Sequence, residues 1–231
     1  MSGLLVLGID TSGKNASVAV CSQNELLAQY FLKTDKTHSQ VILPMCRKML
    51  DDLGLSLKDI DRFAVAAGPG SYTGLRIGIS AVKALAFGLE KKCNGISTLE
   101  ALAYNFAGTD GYVCAVMKAR LDIVYCAVFK ISGDKVSRCT DDMMISGSEL
   151  AEKLGKFPEH ITITGDGAEK FISEFKNERF SLSSFHLRYQ LASGICMSAL
   201  NKEGQTPDEI NAFYMQVTKA EKDLLDKKIN C

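Results

Sequence analysis

Apolar and polar positions follow two rhythms along this chain. "LLVLGIDTS" (4–12) is a nearly unbroken apolar run ending at Asp10, the pattern of a strand buried on both faces. After turn residues come "ASVAVCS" (16–22) and "ELLAQYFL" (25–32), so the opening predicts a three-stranded meander. The period then lengthens. Thr37 and Gln40 stand in capping-box spacing ahead of "VILPMCRKMLDDLG", a helix closed by Gly54. Pro44 removes one backbone hydrogen bond inside it, so a kink is expected there. "RFAVAAG" (62–68) reads as another buried strand, and a glycine-rich turn leads into a helix over about 73–90. A short strand near 93–97 and a helix capped by Thr98 complete a unit of order βββαβα.

That order repeats. Strands are expected at 111–119, 123–131 and 135–146, a helix at 147–155, a strand at 161–167, and helices near 168–176 and 188–203. Two copies of one unit predict an α/β fold of two stacked lobes, 1–108 and 109–231, with a cleft between them. No Pro-, Ser- or Gly-rich linker separates the halves, which should pack firmly. "EKDLLDKKIN" near the end reads as a charged terminal helix, packed back on the first lobe, or as a frayed end.

Composition narrows the chemistry. The 27 basic and 27 acidic side chains balance, and a protein that grips nucleic acid alone carries a basic excess, so any RNA would be held mainly by a partner. Eight scattered cysteines form no C-x-x-C pair, which argues for buried, reduced thiols rather than a zinc or redox site. The N-terminus has no basic n-region and no stretch reaches membrane-spanning length, so a soluble cytoplasmic chain is expected. The three histidines, His38, His160 and His186, show no H-x-x-x-H or H-E-x-x-H spacing, and no metal site is expected. No G-x-S-x-G elbow is present, and no catalytic residue stands out. His38 is placed on the surface, in the first turn of its helix.

"GPGSYTGLRIG" (68–78) is the candidate phosphate loop, because a helix N-terminus offers unpaired N–H groups and glycines allow close approach. Its spacing fits neither G-K-[ST] nor G-x-G-x-x-G, and Pro69 removes a donor. The other reading is a tight turn in which Gly68 and Gly70 take backbone angles open to glycine, while Gly74 and Gly78 admit a close neighbour. Asp10, Thr11 and Ser12, with Gly68, Gly70 and Ser71, are the residues that would touch a nucleotide. The alternative for Asp10 is an Asx turn ending the strand.

The two helices of the first half are apolar on more than one face. Ile42, Met45, Cys46, Met49 and Leu53 make a core stripe, while Val41, Leu43, Arg47 and Leu50 make a second. In the next helix Leu75, Ile79, Val82, Ala86 and Leu89 are matched by Ile77, Ala81, Ala84 and Gly88. The surplus means deep burial between layers or a docking surface. Arg76 would reach across such a surface toward a carboxylate or phosphate, or stay a solvated charge. Met49 and Phe87 read as core.

The order of elements resembles the actin-like ATPase superfamily of sugar kinases, heat-shock chaperones and actin. "GIDTS" (8–12), "HSQVILP" (38–44), "GPGSYTGLRIG" (68–78), "KARLDIVY" (118–125) and "AFYMQ" (212–216) are similar to the TsaB (YeaZ) family over nearly the whole chain. That resemblance implies a subunit with no catalysis of its own in the making of threonylcarbamoyladenosine beside the tRNA anticodon. It implies a TsaD-type catalytic paralogue and a TsaE-type ATPase as partners. Contact would run through a four-helix interface built on the two helices above, with the paralogue or with a second copy. tRNA would be met only through the complex, and ATP or ADP would sit at its interface, with no cofactor belonging to this chain. Lys118 stands where the family generally has Asp, and Met215-Gln216 where Leu-Arg is common. The rival readings are a small actin-like ATPase or kinase using Asp10 and the loop, and a glycoprotease-like relative without its metal site.

Overall fold

Two sheets with the same wiring account for most of the chain. The computed structural model describes residues 3–23 and 25–215; Gln216 and the "EKDLLDKKIN" segment fall outside them. In the first sheet, β1 (Val6–Asp10) lies between β2 (Asn15–Cys21) and β4 (Arg62–Gly68), with β3 (Leu26–Lys33) and β5 (Lys92–Ser97) at the edges, in the order β3-β2-β1-β4-β5. β1 runs antiparallel to β2 and parallel to β4. In the second sheet β6 (Thr109–Lys118) repeats that role, antiparallel to β7 (Ile123–Gly133) and parallel to β10 (Ile161–Thr164). With β8 (Lys135–Arg138) and β11 (Phe180–Leu182) at the edges the order is β11-β10-β6-β7-β8, and β9 (Met143–Ser146) pairs with β7. The duplicated actin-like fold is therefore visible in strand pairing, where the sequence preserves only the order of elements.

Each central strand is apolar on both sides because helices cover both faces. On the first sheet, α1 (His38–Leu53) and α2 (Tyr72–Gly88) lie on one face and α6 (Ala192–Leu200) on the other. On the second, α4 (Gly147–Gly155) and α5 (Ala168–Glu174) cover the outer face, and α3 (Thr98–Tyr104) the inner one. The inner helices are exchanged. α3, from the first repeat, gives Leu99, Leu102 and Ala103 to the second core, while α6, from the second, gives Ala192, Ile195, Cys196 and Ala199 to the first. The two pack on each other so closely that a Cβ on Gly194 would overlap the Ala101 carbonyl. At their ends Glu100 accepts bonds from Ser198 Oγ (2.6 Å) and Lys202 Nζ (2.7 Å) and faces Arg138. Burial pushes the Glu100 carboxyl up, but these partners outweigh it and hold it below the usual range.

Several boundaries differ from the pattern. The run 135–146 splits into β8 and β9, because Arg138 pairs with Asp142 and the Thr140 hydroxyl takes the Val128 N–H, folding the middle into a turn. The strand over 161–167 stops at Thr164, since Gly165 turns the chain at φ +98°. The helix over 188–203 shrinks to α6, preceded by a 3-10 turn at Phe185–Leu187. Ser97, not Thr98, caps α3, its side chain accepting the Glu100 N–H. All seven described cysteines are free, and Cys139 alone among them is exposed. Burial pushes the Cys46 and Cys126 thiols up to about 12.

Candidate functional site

The end of β1 and the turn after it bury a cluster of polar side chains. Asp10, Thr11, Ser12 and Asn15 are all buried there. Asp10 closes an Asx turn: its Oδ1 accepts the Ser12 N–H (2.9 Å) and the Ser12 hydroxyl (2.6 Å). Its Oδ2 has no hydrogen-bond partner among the described residues. Burial pushes the carboxyl up to about 6, against the pull of the Ser12 bonds and the nearby His38. His38 is not the surface residue that its place in the first turn suggests. It is half-buried, and its Nε2 lies 3.0 Å from the Gly13 carbonyl, to which it donates, while the buried Nδ1 has no hydrogen-bond partner among the described residues. Gln190 packs against Gly13, its own Nε2 without a hydrogen-bond partner among the described residues. Gln190 and the paired Asn15 carried no signal of their own in the sequence, because the chain that joins them spans both lobes.

The glycine loop closes on this turn, and the closure explains most of its glycines. Ser71 caps α2, its side chain accepting the Gly74 N–H (3.2 Å), and its own N–H donates to the Ser12 carbonyl (2.8 Å). A Cβ on Gly70 would sit 2.6 Å from that same carbonyl, and one on Gly74 would overlap the Thr11 carbonyl. Gly78 lies against the Thr11 side chain, whose hydroxyl donates to the Gly74 carbonyl (2.7 Å). Gly68 takes φ +124°, an angle reserved for glycine; Gly70 does not, and is needed for space rather than for conformation. The first turn of α2 thus spends its close approaches on Thr11 and Ser12.

In the second lobe, Gly165-Asp166-Gly167 forms the turn after β10. Asp166 accepts the Lys118 N–H (2.9 Å), and burial raises its carboxyl pKa against the pull of Lys118 and of Lys14 from the first lobe.

The outer faces of α1 and α2 are narrower than their two stripes suggest. Val41 and Leu50 are buried, because α1 lies in the angle between β2, β3 and α2 and loses both flanks to them. Leu43 (48% exposed), Arg47, Arg76, Ala84 and Gly88 remain at the surface, with Ile77 and Ala81 half-buried between them. Phe87, which its spacing assigns to the core, is 75% exposed, while Met49 is fully buried. Arg76 is already engaged: its Nε donates to the Tyr214 hydroxyl (2.9 Å) and its guanidinium lies 3.9 Å over the Tyr72 ring. Tyr214 ends a strap that binds the first lobe through Gln205 with Cys93, Lys83 with the Ile210 carbonyl, and the Phe213 N–H with the Ala67 carbonyl. Met215 packs on the second-lobe core, so the strap ties the lobes together. No group of three or more His, Cys, Asp or Glu side chains placed to hold a metal occurs among the described residues, and no described helix is long and apolar enough to cross a membrane.

Residues 25–222 match a family model described as TsaD, tRNA N6-adenosine threonylcarbamoyltransferase. The tRNA threonylcarbamoyladenosine biosynthesis protein TsaB of Bacillus subtilis is 30% identical over 162 residues, 70% of this chain and 71% of that protein. The solved structure of YeaZ from Pseudomonas aeruginosa superposes with a TM-score of 0.80 at 24% identity, covering 92% of this chain and all of that one. An activator of 2-hydroxyisocaproyl-CoA dehydratase from Clostridium difficile, solved with ADPNP, shares the fold at a TM-score of 0.52 and 12% identity, over 86% of this chain and 95% of its own. The Bacillus subtilis relative, matched over 71% of its length at 30% identity, carries the TsaB name, and the family model covers more than half of the chain: the chain belongs to the TsaB (YeaZ) family.

Proposed function

We propose that this chain is the docking subunit of a tRNA threonylcarbamoyladenosine-forming complex, presenting the outer face of α1 and α2 to a TsaD-type transferase. One observation carries the reading: of two neighbouring helices, α1 exposes Leu43 and α2 exposes Phe87 together with the small residues Ala84 and Gly88, apolar surface that leaves room for close helix–helix approach. Aromatic anchors of this kind dominate interface energetics. The glycines of the loop serve packing within the chain, which favours docking over a phosphate cradle. On this reading the transferase supplies the chemistry, a TsaE-type ATPase joins the pair, tRNA is met through the assembly, and ATP or ADP belongs to its interface. The same helical face would serve a second copy when the transferase is absent.

The test is calorimetric titration of this chain with a TsaD-type protein. Phe87→Glu should weaken binding about 30-fold or more, the loss of one anchor of roughly 2 kcal/mol, and should lower modification of tRNA by the reconstituted complex in step. Unchanged affinity would sink the reading. A second reading, an ATPase centred on Asp10, is favoured by the unpartnered buried Oδ2. ATP turnover by the isolated chain that vanishes in Asp10→Asn would establish it.

A further inference from the structure

A cavity of about 650 Å3 opens between the β2–β3 turn, the end of α3, the β7–β8 turn and α6. Leu191, Met197 and Leu200 give it an apolar wall, Glu25 and Asp134 are its charged groups, and no described Lys or Arg lines it. Cys21, the last residue of β2, also stands in the wall and is 3% exposed. Against it lies Cys196 of α6, fully buried and not part of the wall. The two thiols are in hydrogen-bond contact. Cys196 Sγ sits over the first sheet, 3.5 Å from both the Val6 and the Ala19 carbonyls, and Val6 is the β1 partner of Cys21. Both sulfurs therefore share one small patch of sheet. The bond from Cys196 holds the Cys21 thiol below its ordinary range, while burial pushes the other six described thiols up.

We infer that Cys21 and Cys196 form a modification site, in which hydrogen peroxide entering through the cavity converts the two thiols into a disulfide. Access sets the order of events, because Cys21 meets the cavity and Cys196 does not. The Cys21 sulfur attacks one peroxide oxygen and the O–O bond breaks, leaving a sulfenic acid on Cys21 and releasing one water with the thiol proton. The Cys196 sulfur then attacks the Cys21 sulfur; the S–S bond forms, the S–O bond breaks, and the second water leaves with the Cys196 proton. Two thiols lose two electrons in total, and the peroxide is reduced to two waters. The cavity also selects the oxidant. Two carboxylates without a basic partner oppose an anionic disulfide such as oxidised glutathione, whereas a small neutral peroxide can reach a thiol that is almost covered. Cys114 and Cys126 also lie near each other, on β6 and β7, but neither lines the cavity. The disulfide would bind β2 of the first repeat to the exchanged helix of the second, and a dithiol would release it.

Peroxide titration of the full chain, followed by alkylation under denaturing conditions and peptide mass spectrometry without reduction, tests this. The parent carries Cys139→Ser and Cys231→Ser, so that neither of those thiols can link chains. A Cys21–Cys196 linked peptide should form within one chain while Cys46, Cys114 and Cys126 still alkylate, and dithiothreitol should return both thiols. Cys196→Ala should stop at a sulfenic acid on Cys21, trapped by dimedone. Cys21→Ala should slow the loss of the Cys196 thiol about tenfold or more. The linked peptide is read in the parent, so the test stands even where a variant folds poorly. Oxidation that spares Cys21, that links another pair first, or that consumes Cys196 equally fast in Cys21→Ala would overturn the inference.

Discussion

Asp10 is a stability cost that can be removed by changing one atom. Its carboxyl is raised from 3.8 to about 6 by full burial, which at about 1.4 kcal/mol per pH unit amounts to roughly 3 kcal/mol. The native pKa lies above the unfolded one, so the native state holds the proton more tightly and gains stability in acid. That gain is complete below about pH 4, fades as pH rises through about 6, and is absent at neutral pH, where the ionised group sits buried with Oδ2 unpartnered. Asp10→Asn keeps the acceptor that Ser12 uses and removes the charge. The new Nδ2 is itself an unpaired buried donor, much as the protonated carboxyl is, so the variant resembles the protein in acid. We expect it to be about 1–3 kcal/mol more stable than the parent at pH 7.5 and to approach the parent near pH 4. Urea unfolding of both proteins at several pH values between 4 and 7.5 gives the difference directly, with other titrating groups cancelling. A variant no more stable than the parent at pH 7.5, or a difference that does not change with pH, would refute the argument. It would mean that the ionised carboxylate already has a compensating partner in solution.

The other expectations concern single contacts. Gly74→Ala drives a methyl into the Thr11 carbonyl and should cost about 1–3 kcal/mol or more in the same assay, whereas Gly88→Ala, with open space around it, should change stability by less than about 1 kcal/mol. Tyr214→Ala frees Arg76 and the end of the strap; hydrogen exchange at the Phe213 N–H should speed up clearly while global stability falls by less than about 1 kcal/mol. Glu100→Ala leaves Arg138 and Lys202 facing each other without their acid and should destabilise by about 2–4 kcal/mol, read from the shift of the urea midpoint.

Elements bounded by local signals were legible in the sequence. β4 and α4 fall at 62–68 and 147–155 because apolar periodicity, the Ser146 cap and the flanking glycines all lie within a few residues of the ends they set. The break between β8 and β9 was not legible, since Thr140 is drawn to Val128 across the sheet. Nor was the reason for Gly70, Gly74 and Gly78: the atoms they make room for belong to a turn near the start of the chain. Periodicity placed α1 and α2 correctly but misjudged Val41, Leu50 and Phe87. A helix pattern records which residues are apolar, and the width of the covering neighbours decides which of them are buried.

The exchange of α3 and α6 has a consequence for how the molecule can be divided. A cut near residue 108 follows the repeat, yet each fragment then carries the slab that closes the other's sheet and lacks its own. Neither half can complete a core in isolation, so each should remain partly unfolded and prone to associate. Mixed, they hold every piece of both cores, and the pair would behave as a split protein that reconstitutes by complementation. Such interlocking makes the lobes a single cooperative unit, and a gene fusion or truncation that respects the apparent repeat boundary would break the very unit it seems to preserve.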